Sequence, residues 1–186
     1  MQPPFPPLEP TPARVDLPDA RRANRDGIVA LSRTMTPGLV LQAYRKGIFP
    51  WPIAQGLVPW ASPDPRAHFP LDGDDPWPRH VRRALKLSFR VTFDEAFAEV
   101  MQACAAERAE GTWITPDFAG ESMFHRRTGA SKVAFARMVE RLRLRKFRLF
   151  DVQVMSPHLS TLGCVELSRD EYLRIVERCV RDSIPF

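Results

Sequence analysis

Proline limits what the first part of this chain can become. The sequence holds nineteen prolines against nine glycines, and many prolines fall in the first 78 residues. Proline fixes φ and has no amide hydrogen, so it can open a helix or shape a loop but not sit inside a helix. Residues 1–20 are proline-rich and polar with little periodicity, and read as a disordered or loosely attached tail. Ile48-Phe49-Pro50-Trp51-Pro52 reads as an apolar loop. Pro59-Trp60-Ala61-Ser62-Pro63-Asp64-Pro65-Arg66 reads as a second one.

Helical signals lie between and beyond these loops. Thr36 can cap a helix that has Pro37 at its first position. Leu39, Val40, Ala43 and Tyr44 fall on one face of it, and Gly47 can end it. A short helix is expected over 79–87, with Arg82, Arg83 and Lys86 on its surface. Phe89-Arg90-Val91 reads as a short strand. Thr92 and Glu95 have the spacing of a capping box. The helix beyond them would turn Ala96, Phe97, Val100, Met101 and Cys104 inward and end near Gly111. Another helix over 131–146 has Phe135, Met138, Val139 and Leu142 as its buried stripe, with Arg137, Arg141 and Arg145 as an outer ridge. A strand from Phe147 to Val154 follows. Ser168 and Glu171 form a second capping box, opening a last helix over 169–181. Helices mixed with short strands give an α+β class.

The totals narrow the function. A length of 186 residues suits one compact domain or two small lobes. No run of 18 apolar residues exists, so no membrane-spanning helix is expected. Cys104, Cys164 and Cys179 are widely spaced and odd in number, which fits a reduced cytoplasm better than a disulfide framework. His68, His80, His125 and His158 show no ligand spacing, so no metal is expected. Residues 121–150 hold nine Lys or Arg against two acids, a block that can attract phosphate. From charge alone, a solvated helix face is the plainer reading.

Asp151-Val152-Gln153 is the most suggestive phrase. Side chains alternate along a strand, so Leu149, Asp151 and Gln153 would share one face, opposite an apolar face of Phe150, Val152 and Val154. An acid can steer or accept a proton from an amine, and an amide can orient a carbonyl. A half-solvated strand would show the same alternation. Trp51, Trp60, Trp113 and Phe124 could line an apolar pocket or anchor loops. Arg45, Lys46, Arg66, Arg82, Arg83 and Lys86 could contact phosphate. Neither a nucleotide-binding glycine loop nor a Gly-x-Ser-x-Gly elbow is present.

Five blocks, in order over residues 36–173, carry a resemblance. They are Ala43-Tyr44-Arg45-Lys46-Gly47-Ile48-Phe49-Pro50-Trp51; Trp60 with Ser62-Pro63-Asp64-Pro65-Arg66; and Glu110-Gly111-Thr112-Trp113-Ile114-Thr115. Then come Gly120-Glu121-Ser122-Met123-Phe124 with Ala130-Ser131-Lys132, and Asp151-Val152-Gln153-Val154 with His158 and Leu162-Gly163. Together they resemble the leucyl/phenylalanyl-tRNA–protein transferases.

Residues 1–26 read as the proline-rich, disordered tail, and the resemblance implies a small N-terminal lobe over 27–78. Residues 79–186 would form a C-terminal lobe like the acyl-CoA N-acetyltransferases. It implies transfer of leucine, or less often phenylalanine or methionine, from aminoacyl-tRNA to a protein with N-terminal Arg or Lys, which marks that protein for degradation. The ester is already activated, so no cofactor, ATP or metal is implied. Asp151 and Gln153 match the pair that assists the amine's attack, and Glu121 a glutamate that helps place the substrate. Trp51, Trp113 and Phe124, with Tyr44, match the substrate pocket. Arg82, Arg83 and Lys86, with Arg45 and Lys46, match a basic cluster for tRNA. A monomer is expected. The alternative is a non-catalytic tRNA- or protein-binding relative that has lost the pocket.

The chain departs from the family pattern in three places. Only Pro116-Asp117-Phe118-Ala119 separate Thr115 from Gly120, where the family has a few dozen more residues. Four residues reach at most about 14 Å, so either the sheet closes with fewer strands or the chain is a deletion variant or degenerate relative. Ser32-Arg33-Thr34 replaces a Gly-Gly-Asp turn, and Ala61 a second tryptophan.

Overall fold

The structure is a computed structural model that describes residues 10–51, 55–73, 77–93, 95–105 and 125–181. It is mixed α and β, with two small antiparallel sheets and several helices among the described residues. No described helix is long and apolar enough to cross a membrane. The chain divides into two compact units. One lies within Trp77–Glu140, and the other joins Phe5–Pro76 to Arg141–Phe186.

The first sheet belongs to the second of these units. Strand β1 (Ile28–Ser32) pairs with β3 (Val58–Ala61), and β3 pairs with β2 (Phe49–Pro50). Both stretches read from sequence as proline loops are therefore partly strand. Pro59 lies in the central strand, yet its carbonyl still accepts from the Trp51 amide at 2.7 Å. Proline removes one donor from a ladder, not the acceptor. Trp60 is fully buried and donates its indole N–H to Ser32 Oγ at 2.9 Å, so it is a core anchor.

Helix α1 (Pro37–Arg45) starts as expected, with Thr36 Oγ1 accepting from the Leu39 amide. Gly47 follows at φ +71, and its missing Cβ leaves room for α6 (Arg169–Cys179). A Cβ there would lie 2.5 Å from Leu173 Cδ2 and 3.0 Å from Tyr172 Cε1. Helix α6 opens on the expected capping box, with Ser168 and Glu171 bonding each other's amides. Leu39 and Ala43 of α1 and Tyr172, Leu173 and Val176 of α6 share one core with Ile48, Val58 and Trp60.

The expected loose tail is corrected here. Leu17 and Ala20 are buried in that same core. The Leu17 amide donates to Gln42 Oε1 at 2.8 Å, and Lys46 Nζ donates to Asp16 Oδ1 at 2.6 Å and to the Leu17 carbonyl. Two apolar anchors and backbone bonds hold a segment whose composition alone looks unfolded. Residues 1–9 lie outside the described residues.

The second sheet, in the same unit, has the order β5-β4-β6, built from β4 (Arg66–Phe69), β5 (Phe150–Gln153) and β6 (Val165–Leu167). All its pairings are antiparallel. Its central strand comes from the first half of the chain and its edges from the second. Helix α5 (Pro157–Leu162) joins the edges, capped by Ser156 and ended by Gly163 at φ +98.

The other unit holds α2 (Arg79–Ala84), α3 (Phe97–Ala105) and most of α4 (Ala130–Leu144). Phe135, Val139 and Leu142 of α4 are buried as expected. The Trp77 ring meets Phe135 edge-on at 6.3 Å. Two expectations are corrected. Phe89-Arg90-Val91 forms no strand. Helix α3 begins at Phe97 rather than after Thr92, and Phe97 is 67% exposed, with Val100 also exposed. Helical periodicity marks a face but does not say what covers it. Gly111 and its surroundings lie outside the described residues.

Candidate functional site

The site builds outward from Arg66. Its side chain is fully buried, a costly place for a charge unless it is paired. Asp151 supplies the pair: Oδ1 accepts from Arg66 Nε at 2.9 Å and Oδ2 from Arg66 Nη2 at 2.5 Å. This is the two-point fork that arginine forms with a carboxylate. Arg66 Nη1 donates to the Gly47 carbonyl at 3.3 Å. The guanidinium is sandwiched between the rings of Phe49 and Tyr172, each centroid 4.5 Å away. The exposed Trp51 ring lies beside Phe49, centroids 5.5 Å apart and tilted. Arg66 is therefore a structural cation, not the phosphate contact its sequence position allowed.

Asp151 receives two further bonds. The Tyr172 hydroxyl donates to Oδ2 at 3.0 Å, and the Gln153 amide donates to Oδ1 at 2.9 Å. Burial is the largest influence on Tyr172 and pushes its phenol up, with Arg66 opposing, so the group is a donor at neutral pH. The Asp151 side chain keeps 22% of its surface exposed.

That surface faces a cavity of about 350 Å³ in the same unit. Tyr44, Arg45, Phe147, Arg148, Leu149 and Tyr172 line it with Asp151, and Val176, Cys179 and Val180 complete an apolar wall. Of the residues expected at the substrate, Tyr44, Arg45 and Asp151 thus meet at one cavity. Arg148 and Tyr172 were not singled out from sequence. Tyr172 looks there like a core residue of an amphipathic helix, and only the fold turns its hydroxyl to Asp151.

The shared face expected for Asp151 and Gln153 is corrected. Asp151 pairs with His68 and Gln153 with Ala67, adjacent residues on β4 that face opposite ways. A bulge at Val152 absorbs the extra residue, and Gln153 takes φ +65. Bulges re-aim side chains in this way. The apolar face of Phe150, Val152 and Val154 is half-buried to exposed, because β5 is a sheet edge.

Arg82 and Arg83, on α2, and Lys86, just beyond it, are exposed in the Trp77–Glu140 unit. Lys46 is held by Asp16 and the Leu17 carbonyl, so its ammonium is already engaged. Glu121, Trp113 and Phe124 lie outside the described residues.

Comparison with known proteins bears on what such a site belongs to. A family model described as leucyl/phenylalanyl-tRNA protein transferase matches residues 74–119 and 117–177, and the model of that family's N-terminal domain matches residues 33–64. The chain belongs to this family. It is 36% identical to the leucyl/phenylalanyl-tRNA–protein transferase of Cellvibrio japonicus, with 89% of this chain and 88% of that protein covered. It is also 36% identical to the Shewanella denitrificans enzyme of that name (84% of each) and 34% identical to that of Magnetococcus marinus (90% of each). The Cellvibrio alignment runs over 212 residues, more than the 186 of this chain, so the relative carries residues without a counterpart here. The family match breaks at 117–119, where the sequence is shortened.

Within this transferase, Cys164 offers no nucleophile. It is buried, and burial pushes its thiol from the usual 9.0 up to about 11. The thiolate, not the thiol, is the reactive form. An alkylating reagent at pH 8 should leave Cys164 unmodified in the folded protein, read by peptide mass, and modification there would contradict its burial. The folded value is raised, so this thiol's contribution to stability is complete below 9.0 and is lost as pH rises through about 11.

Proposed function

We propose that this protein transfers leucine, or less often phenylalanine or methionine, from aminoacyl-tRNA to a protein whose N-terminus is Arg or Lys, marking it for degradation. The observation that carries this reading is family membership over most of the chain, with the family's Asp-x-Gln phrase kept as Asp151-Val152-Gln153 beside a cavity. The acceptor's α-amine attacks the ester carbonyl. A peptide bond forms and the ester bond to the tRNA ribose breaks, with that hydroxyl leaving. The activated ester supplies the driving force, so the step needs no ATP.

In this reading the side-chain amide of Gln153 orients the reacting carbonyl. The Asp151 anion favours the positive charge that grows on the attacking amine. Glu121 supports the substrate's placement. Tyr44 and Trp51, with Trp113 and Phe124, hold the amino acid and terminal adenosine. Arg45, Arg82, Arg83 and Lys86 hold the tRNA backbone. Lys46 stands beside Arg45 in the same role, its ammonium also pairing with the exposed Asp16. The C-terminal lobe is read as acetyltransferase-like with fewer strands, and the protein as a cytoplasmic monomer. The relatives carry a transferase's name, which does not favour the non-catalytic alternative.

Labelled leucine should pass from Leu-tRNA to a protein beginning with arginine when the full chain is added. Gln153→Ala should lower the rate roughly a hundredfold or more, the scale seen when one preorganised donor is removed. A folded wild-type protein that transfers nothing would sink the reading.

A further inference from the structure

Arg66 lies behind Asp151 and Tyr172 beside it at the cavity wall, and the side chains of both are buried. We infer that they are positioning residues for the transfer reaction, a clamp that fixes the Asp151 carboxylate and, through it, the backbone of Gln153. The inference rests on the proposed roles of Asp151 and Gln153.

The hydrogen-bond count leads to it. A carboxylate offers about four lone-pair sites on its two oxygens. Four donors converge on Asp151: Nε and Nη2 of Arg66, the Tyr172 hydroxyl and the Gln153 amide. So filled, the carboxylate cannot turn without breaking a bond. Its last bond holds the amide of a residue at φ +65, a conformation that non-glycine residues seldom adopt. The direction of the Gln153 side chain therefore depends on Asp151 staying put.

Packing alone does not explain the clamp. The Tyr172 ring already stacks on the Arg66 guanidinium and fills the core, with or without its hydroxyl. The hydroxyl donates to Asp151 Oδ2. Likewise, charge balance alone would be met by lysine at 66, but only the planar guanidinium donates at two points while lying between two rings.

Steady-state leucine transfer by the full chain, with Leu-tRNA varied, tests this through Tyr172→Phe and Arg66→Lys. Each is assayed well below its own melting temperature. Tyr172→Phe should lower kcat roughly tenfold, the scale of one hydrogen bond to a charged group, with KM for Leu-tRNA within twofold of wild type. Arg66→Lys should lower kcat at least as far, again without raising KM. A purely structural role would lower the melting temperature and leave kcat of the folded variant unchanged, and that result overturns the inference. So does a rise in KM at unchanged kcat. If Tyr172→Phe does not fold, Arg66→Lys gives the same reading. Gln153→Ala in the same assay separates the two levels. If it is inactive while both clamp variants match wild type, only the clamp is wrong. If it transfers like wild type, the underlying reading of Gln153 has failed.

Discussion

Asp151→Ala should destabilise the protein by about 3–5 kcal/mol, because it leaves the fully buried Arg66 charge without its partner. For a chain of this size each kcal/mol moves Tm by about 2–4 °C, so the drop should be roughly 6–20 °C. The two other Asp151 bonds act in the same direction. The Tyr172 hydroxyl loses its acceptor, the Gln153 amide is released, and the left-handed turn at Gln153 loses its hold. Asp151→Asn keeps the shape and an oxygen, so it should lose less. Thermal unfolding followed by circular dichroism reads both. A Tm for Asp151→Ala within about 2 °C of wild type would mean the pair contributes nothing net to folding. The practical consequence is that lost transfer in Asp151→Ala reports folding as well as chemistry.

Gly47→Ala is the second large effect. A non-glycine residue in the left-handed region costs roughly 1–2 kcal/mol. The added Cβ would also lie 2.5 Å from Leu173 Cδ2 and 3.0 Å from Tyr172 Cε1, and overpacking of this kind adds about 1–3 kcal/mol. Gly56→Ala is the natural control. Gly56 also has positive φ, at +72, but nothing lies within 4 Å of its would-be Cβ. It should pay only the backbone cost. Equal losses in the two variants would show that the close approach of α6 to Gly47 is unimportant. The Gly47 carbonyl accepts from Arg66 Nη1, so the same substitution should also loosen the clamp on Asp151.

Local chemistry made part of this structure legible in advance. Thr36-Pro37, Gly47 and the Ser168–Glu171 box mark helix ends through bonds between near neighbours, and they stand where the sequence put them. The buried stripe of α4 follows from a 3.6-residue period, and the same local rule located it. The family phrases likewise needed no fold to be read. Where the deciding partner is distant in sequence, local rules were silent or misleading. Proline made β2 and β3 look like loops, because the strands that pair with them lie elsewhere along the chain. The N-terminal segment looked loose because α1 and α6, which hold it, are invisible to a composition window.

The sequence by itself singled out the candidates for the chemistry: the Asp151-Val152-Gln153 phrase, Trp51 in its apolar loop, and the bases of α2. Tertiary structure alone decided how they combine. Arg66 and Asp151 stand 85 positions apart and Asp151 and Tyr172 stand 21 apart, so no periodicity links them. Only the antiparallel pairing of β4 with β5, and the packing of α6 against Gly47, close the group. The bulge at Val152 was equally hidden, since alternation along one strand assumes a ladder without extra residues. A buried charge must find its partner wherever the chain can bring one, and that is a property of the folded contacts, not of neighbours in sequence.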